Sequence, residues 1–230
     1  MGAPYELVVY SDDMAAPGEM EFEAVASLAR RGAGQGLPRR VGQLLSELNY
    51  GIANGWAVGL ELPFTYAAGR HKAEGLAVEL QYVAPHDDDD GWFWGMRASL
   101  GRTTSLREVD AQTSLEVNPL VGYRGAGYRV VFNPSLEGPF KRSEGTVRFQ
   151  PSAKIAVRTS QRDEMGAEYY ADWGPLRHLL PGSKRDETLY LVWDRRASFG
   201  RLNLGLGQAL RPSGTADRWV VKLGVQFELD

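Results

Sequence analysis

The last twelve residues, Trp219 to Asp230, are apolar at every second position. Trp219, Val221, Leu223, Val225, Phe227 and Leu229 alternate with residues that include Lys222, Gln226 and Glu228. Successive side chains of a strand point to opposite faces, so one face suits hydrocarbon and the other suits water. A strand of this length, with large apolar residues at both ends of its stripe, fits a transmembrane β-barrel, which needs about 9–11 residues tilted across the bilayer.

The same period recurs along the chain. Segments bounded by turn residues fall near 19–31, 41–50, 56–65, 75–84, 92–102, 112–123, 128–137, 146–158, 166–173, 187–194, 198–209 and 218–229. Their apolar faces include Val58, Leu60, Leu62 and Phe64; Trp92, Trp94, Met96 and Leu100; and Val147, Phe149, Ala153, Ile155 and Val157. Twelve is even, as single-chain bacterial barrels require. The expected fold is therefore all-β, a transmembrane antiparallel barrel of about twelve strands over residues 19–230, with both termini periplasmic. Residues 1–18 stand outside the strands and are expected to form an N-terminal periplasmic segment or plug. Alternation alone does not exclude a soluble sandwich, which also alternates. Connection lengths favour the barrel: 32–40, 66–74, 103–111, 138–145, 174–186 and 210–217 are mostly long, whereas Gly51–Gly55, Arg124–Gly127 and Arg195–Ala197 are short. The 27 glycines and 10% aromatics suit many strands and tight turns, and no apolar run is long enough for a helical span. A net charge of −3 speaks against a nucleic-acid partner. Met1-Gly2-Ala3-Pro4 leads straight into Tyr5-Glu6-Leu7-Val8 without a basic or apolar leader, so a mature form is expected.

The stretch Glu47-Leu48-Asn49-Tyr50-Gly51-Ile52-Ala53-Asn54-Gly55-Trp56-Ala57-Val58-Gly59-Leu60-Glu61-Leu62-Pro63-Phe64, together with Glu79-Leu80-Gln81-Tyr82 and the strands around Gly122-Tyr123, resembles a family of proteobacterial outer-membrane barrels named as phenol-degradation meta-pathway transporters. The resemblance covers about residues 45–135. It implies an outer-membrane location and passage of small, often hydrophobic compounds, without a catalytic motif. The chain departs from such barrels at its end, where Phe227 stands three places before the terminus.

On the wet face, Glu47, Glu61, Glu79, Gln81, Arg97, Glu116, Asn118, Asn133, Arg148, Gln150, Lys154, Glu168 and Lys222 are expected to line the lumen. Both signs of charge occur there, and in a narrow barrel they must pair, because an unpaired buried charge costs several kcal/mol. Either a salt-bridged network closes the lumen, or a charged lining selects solutes; the readings are thus a narrow passive channel for small solutes or a non-conducting structural or partner-binding barrel. The connections carry Arg39, Arg40, Arg70, Lys72, Lys141, Arg142, Lys184 and Arg185, expected as outer-leaflet basic loops facing membrane lipid and lipopolysaccharide phosphates. His86-Asp87-Asp88-Asp89-Asp90-Gly91 lacks the ligand spacing of a calcium loop, so it reads as a solvated turn; no metal and no cofactor is expected. The three histidines, His71, His86 and His178, fall in predicted connections away from any serine on a strand, and an enzyme is not expected.

Proline cannot donate to a ladder and is confined to edges and bulges. Pro119, Pro134 and Pro151 nevertheless fall inside three consecutive predicted strands, with Pro63 a further case. They predict a wall that is bulged or short of hydrogen bonds there, which either curves the barrel or opens a lateral exit for a hydrophobic solute.

Overall fold

In the computed structural model, which describes residues 7–31, 39–86, 90–103, 112–141, 145–210 and 217–229, the period-2 segments form one antiparallel sheet. The strands are β1 (Met20–Arg31), β2 (Arg40–Ala53), β3 (Trp56–Ala67), β4 (Arg70–Ala73), β5 (Gly75–Val83), β6 (Gly91–Thr103), β7 (Gln112–Gly125), β8 (Tyr128–Pro139), β9 (Arg148–Arg158), β10 (Asp163–Asp172), β11 (Gly174–Pro175), β12 (Asp186–Ala197), β13 (Gly200–Ala209) and β14 (Asp217–Leu229). Each long strand pairs with its neighbours in the chain, and β14 pairs back onto β1 from Met20↔Leu229 to Arg31↔Asp217. This last ladder closes the sheet. The two short strands β4 and β11 continue β5 and β10 across bulges, so the barrel has twelve walls.

The stripes face outward. Leu28, Leu60, Val78, Trp94, Leu191, Leu206 and Val221 are all exposed on the outer surface, Leu191 at 71%. A closed barrel with an apolar outside and a polar inside satisfies its backbone without edges, which is what a bilayer demands. At the end where β1 begins and β14 finishes, the terminal end, outward rings form a belt: Trp56 packs on Tyr82, Tyr82 on Trp94, Trp92 on Tyr123 and Tyr123 on Tyr128, with centroids 4.7–5.9 Å apart. Such amphipathic rings mark a membrane–water boundary.

Several connections differ from expectation: Gly51–Ala53 and Arg124–Gly125 continue β2 and β7, Arg195–Ala197 lie in β12 with the turn at 198–199, and the largest change is at 66–74. Residues 66–74 are not a loop: Ala68 and Gly69, at φ 51° and 77°, make a two-residue hairpin turn. Arg70 and Lys72 therefore lie in β4, paired with Ala67 and Thr65, instead of in a basic loop. Arg40 likewise opens β2, while Arg39 stands just before it, exposed at the rim. The cause of the misreading is a bulge. Pro63 offers no N–H, its carbonyl accepts from Glu74 N–H at 2.8 Å, and β4–β5 carries one residue more than β3 across that point, which breaks the alternation. Lys141, Lys184 and Arg185 do lie in connections at the far end, Lys184 in a short 3-10 turn (Gly182–Lys184); Arg142 falls outside the described residues.

Inside, large side chains lie over glycines of the adjacent strand. Phe93 covers Gly122, Tyr190 covers Gly207 and Lys222 covers Gly205; an added Cβ would meet them at 2.1, 2.4 and 2.7 Å. The interior is thus filled in interlocking pairs.

Candidate functional site: the lumen and its N-terminal segment

Residues 7–18 run inside the barrel. The segment leaves the wall at the terminal end, where Gly18 N–H donates to Gly51 O at 2.8 Å and Gly51 N–H donates to Glu19 O at 3.0 Å. Only glycine fits here, since a Cβ on Gly51 would come within 2.1 Å of Ala16 O. From this hinge the chain rises through the lumen to Leu7, which packs with Val25, Leu45, Tyr170, Tyr190 and Val220; Tyr10 packs with Val83, Phe93, Leu120 and Val131.

Charge fixes the segment between these apolar contacts. Asp12 Oδ2 accepts from Arg124 Nη2 at 2.7 Å and lies 3.0 Å from His86 Nε2. Asp13 Oδ2 accepts from Arg129 Nη1 at 2.8 Å and Arg201 Nη1 at 2.6 Å. Burial works against the charge on Asp13, but the Arg201 and Arg129 guanidiniums outweigh it and hold the carboxyl far below its ordinary range. Higher up, Lys222 Nζ donates to Leu7 O at 3.0 Å and Asn133 Nδ2 donates to Tyr10 O at 3.0 Å.

Two ion networks flank the segment. On one wall Arg97, at 0% exposure, donates through Nε to Glu79 Oε2 at 2.9 Å and through Nη2 to Glu79 Oε1 and to Glu61 Oε2 at 3.2 Å, with Glu47 Oε2 at 3.9 Å. Its guanidinium also lies 4.1 Å from the centre of the Tyr10 ring. The carboxylate oxygens of Glu47, Glu61 and Glu79 gather within 4.8 Å of one another, and Arg97 occupies the place a metal ion takes in such a set. On the other wall Lys154 bridges Glu168 Oε1 at 3.0 Å and Asp194 Oδ2 at 2.8 Å, while Glu168 Oε2 accepts from Lys222 and from Tyr170 Oη.

The remaining polar residues singled out in the sequence also lie on inward registers. Gln81 pairs across from Arg97, Asn118 is buried opposite Arg97 on the other side, Glu116 stands opposite Glu137, and Gln150 opposite Ser135. Arg148 reaches Asp172 through Nε at 3.2 Å and through Nη2, so its partner is an aspartate across the β10 bulge. Sequence reasoning missed Tyr10, Asp12, Asp13, Arg124 and Arg129, the residues that seat the segment. The adjacent acids Asp12-Asp13, just after the apolar run Leu7-Val8-Val9-Tyr10, were the available signal. What the segment leaves free is a cavity of about 800 Å³, lined among others by Glu21, Glu23, Gln81, Arg158, Asn203 and Glu228 and reaching the terminal-end turns.

The prolines sit at ladder defects. Phe140 N–H donates to Thr113 O at 2.8 Å, so the odd-numbered β7 residues occupy the hydrogen-bonded positions toward β8. Pro119 and Pro134 face each other at such a position, and neither has an N–H to give. The β7–β8 pairing lapses from Asn118 to Leu120 against Asn133 to Ser135, and resumes in the same register on both sides. Pro151 lies across from Pro134 on β9, where β10 bulges before β11 and Trp173 N–H reaches Phe149 O instead.

No family model matches the chain, and no curated protein does. Among solved structures it resembles a KdgM porin at 14% identity and TM-score 0.60, over 91% of this chain and 99% of that one. It resembles the COG4313 outer membrane channel from Pseudomonas putida F1 at 11% identity and TM-score 0.64, over 97% of this chain and 100% of that one. The fold is that of outer-membrane channels. A second KdgM structure, a complex with disordered oligogalacturonate, aligns at TM-score 0.58, 13% identity and 92% and 99% coverage.

Proposed function

We propose that the protein is a bacterial outer-membrane channel for small solutes, in which residues 7–18 narrow the lumen from the terminal end. The observation that carries the reading is the cavity of about 800 Å³ left beside the segment, where charged and amide side chains such as Glu21, Glu23, Gln81, Arg158 and Asn203 stand beside the apolar residues Leu7, Val25 and Val225. A polar cavity of that kind, reached from the terminal-end turns, suits entry of a small solute more than binding of a macromolecule. With the terminal end periplasmic, Lys141, Lys184 and Arg185 at the far end meet lipopolysaccharide phosphates, and the lumen networks around Arg97 and Lys154 shape selectivity. The test is single-channel recording in planar bilayers on the full chain and on a chain lacking residues 1–18. A channel gives resolvable steps that grow several-fold on deletion; silence from both chains at all voltages favours the non-conducting, partner-binding barrel.

A lateral exit is a second reading, favoured by one observation: the two donorless prolines that face each other across the lapse in the β7–β8 ladder. It supports a hydrophobic cargo of the type implied by the phenol-degradation transporter family, entering the lumen and leaving sideways into the bilayer. Restoring two donors with Pro119→Ala and Pro134→Val should slow transfer of a hydrophobic dye into vesicle lipid while ionic conductance stays the same. Unchanged dye transfer leaves the prolines a curvature role only.

A further inference from the structure

We propose that the N-terminal segment is a staple that holds the β7–β8 seam shut from within, so that withdrawing it opens the axial and lateral routes together. The functional half of this rests on the lateral-exit reading; the mechanical half rests on contacts alone. The seam is the stretch where β7 and β8 lack ladder pairing at Asn118–Leu120 and Asn133–Ser135. On its inner side the segment meets both strands: Tyr10 shares one buried apolar cluster with Leu120 of β7 and Val131 of β8, and its carbonyl accepts from Asn133 of β8. Lower down, Asp12 binds Arg124 of β7 and Asp13 binds Arg129 of β8.

The register makes these aspartates more than anchors. Arg124 and Arg129 are directly opposite each other in the β7–β8 hairpin, and like charges so placed drive strands apart. Arg129 has a further partner in Glu164 at 3.2 Å, and Asp13 also lies 3.9 Å from Arg124, so the two acids set negative charge between two guanidiniums. A stretch of wall that lacks ladder pairing and a cationic rung thus occur in one hairpin, and one short segment covers both. Without it, the hairpin keeps a cationic cross-strand pair beneath a stretch with two missing hydrogen bonds.

The test is amide hydrogen exchange on the full-length protein in lipid nanodiscs. In Asp12→Asn/Asp13→Asn, amides of residues 117–123 and 130–136 should exchange about tenfold faster or more, while those of the β1–β2 hairpin keep their native rate. Adding Arg124→Gln and Arg129→Gln to that variant should recover part of the protection, because the repulsion is gone. Should the double aspartate variant not fold, Tyr10→Ala gives the same readout over residues 117–123 and 130–136. Unchanged seam exchange, or equal acceleration in every strand, overturns the proposal. Seam acceleration without faster dye transfer into lipid upholds the staple and removes the lateral exit.

Discussion

Removing the guanidinium of Arg97 leaves three carboxylates within 4.8 Å of one another and no cation among them. Two unit charges at that distance repel by ~3.5 kcal/mol at an effective dielectric of about 20. Three pairs sum to about 10 kcal/mol, comparable with the whole stability of a typical fold, and entry of water beside Tyr10 or uptake of a proton relieves part of it. Breaking a buried ion pair on one side costs about 3–5 kcal/mol in soluble proteins, and Arg97→Met should fall in that range. Arg97→Met/Glu79→Gln removes a charge and the bidentate acceptor together, and should regain about 1–3 kcal/mol of the loss. Equilibrium unfolding in detergent by urea, followed by the mobility shift between folded and heated forms on a gel, reads both values. If Arg97→Met unfolds within about 0.5 kcal/mol of the parent protein, the range of an ordinary surface change, the network carries no net stabilisation and the reasoning fails.

Other perturbations test separate elements. Leu223→Arg on the outer stripe should cost about 2–4 kcal/mol if the residue lies near the bilayer midplane, measured by folding into lipid vesicles; tolerance of this change in a protein soluble without detergent would sink the membrane barrel. Gly51→Val places a side chain where Ala16 O now lies, so its conductance should rise to that of the chain lacking residues 1–18. The depressed Asp13 carboxyl stabilises the seated segment fully above its unfolded value of about 4 and loses that stabilisation only as pH falls through the lower folded value. The difference in conductance between the full chain and the chain lacking residues 1–18 should therefore persist from pH 8 down to pH 5. Gly122→Leu, which drives a side chain into the Phe93 ring, should cost about 1–3 kcal/mol, read by thermal loss of the folded gel band.

The barrel was legible because its evidence is local. Period-2 stripes such as Trp219 to Leu229 fix which face each strand turns outward, and an even count of long segments leads to closure. Residues 66–74 misled because Glu74 is an extra residue opposite Pro63, and a single insertion reverses the alternation on which the reading depends. The prolines were visible one by one, but their meeting depends on register: Pro119 faces Pro134 only because β7 and β8 align as Val117↔Leu136 and Val121↔Phe132. Least legible was the seating of residues 7–18. Asp12 and Asp13 meet partners more than seventy residues away, from His86 to Arg201, and no periodicity encodes contacts of that span. Arg148 shows the same limit on a smaller scale, since its carboxylate is brought to it by the bulge between β10 and β11.

The covering of Gly122 by Phe93, of Gly207 by Tyr190 and of Gly205 by Lys222 has a consequence for how such a bore can change. Each large side chain rests where its neighbour has no Cβ, so the wall behaves as a set of tenons in mortises whose depth is already used. Enlarging a mortise residue pushes the tenon toward the axis and narrows the passage; trimming the tenon exposes a bare glycine strand and leaves a slot in the wall instead of a rounder pore. Diameter is thus a property of cross-strand pairs, and a wider or narrower channel on this frame requires two substitutions at a time, one on each side of a rung.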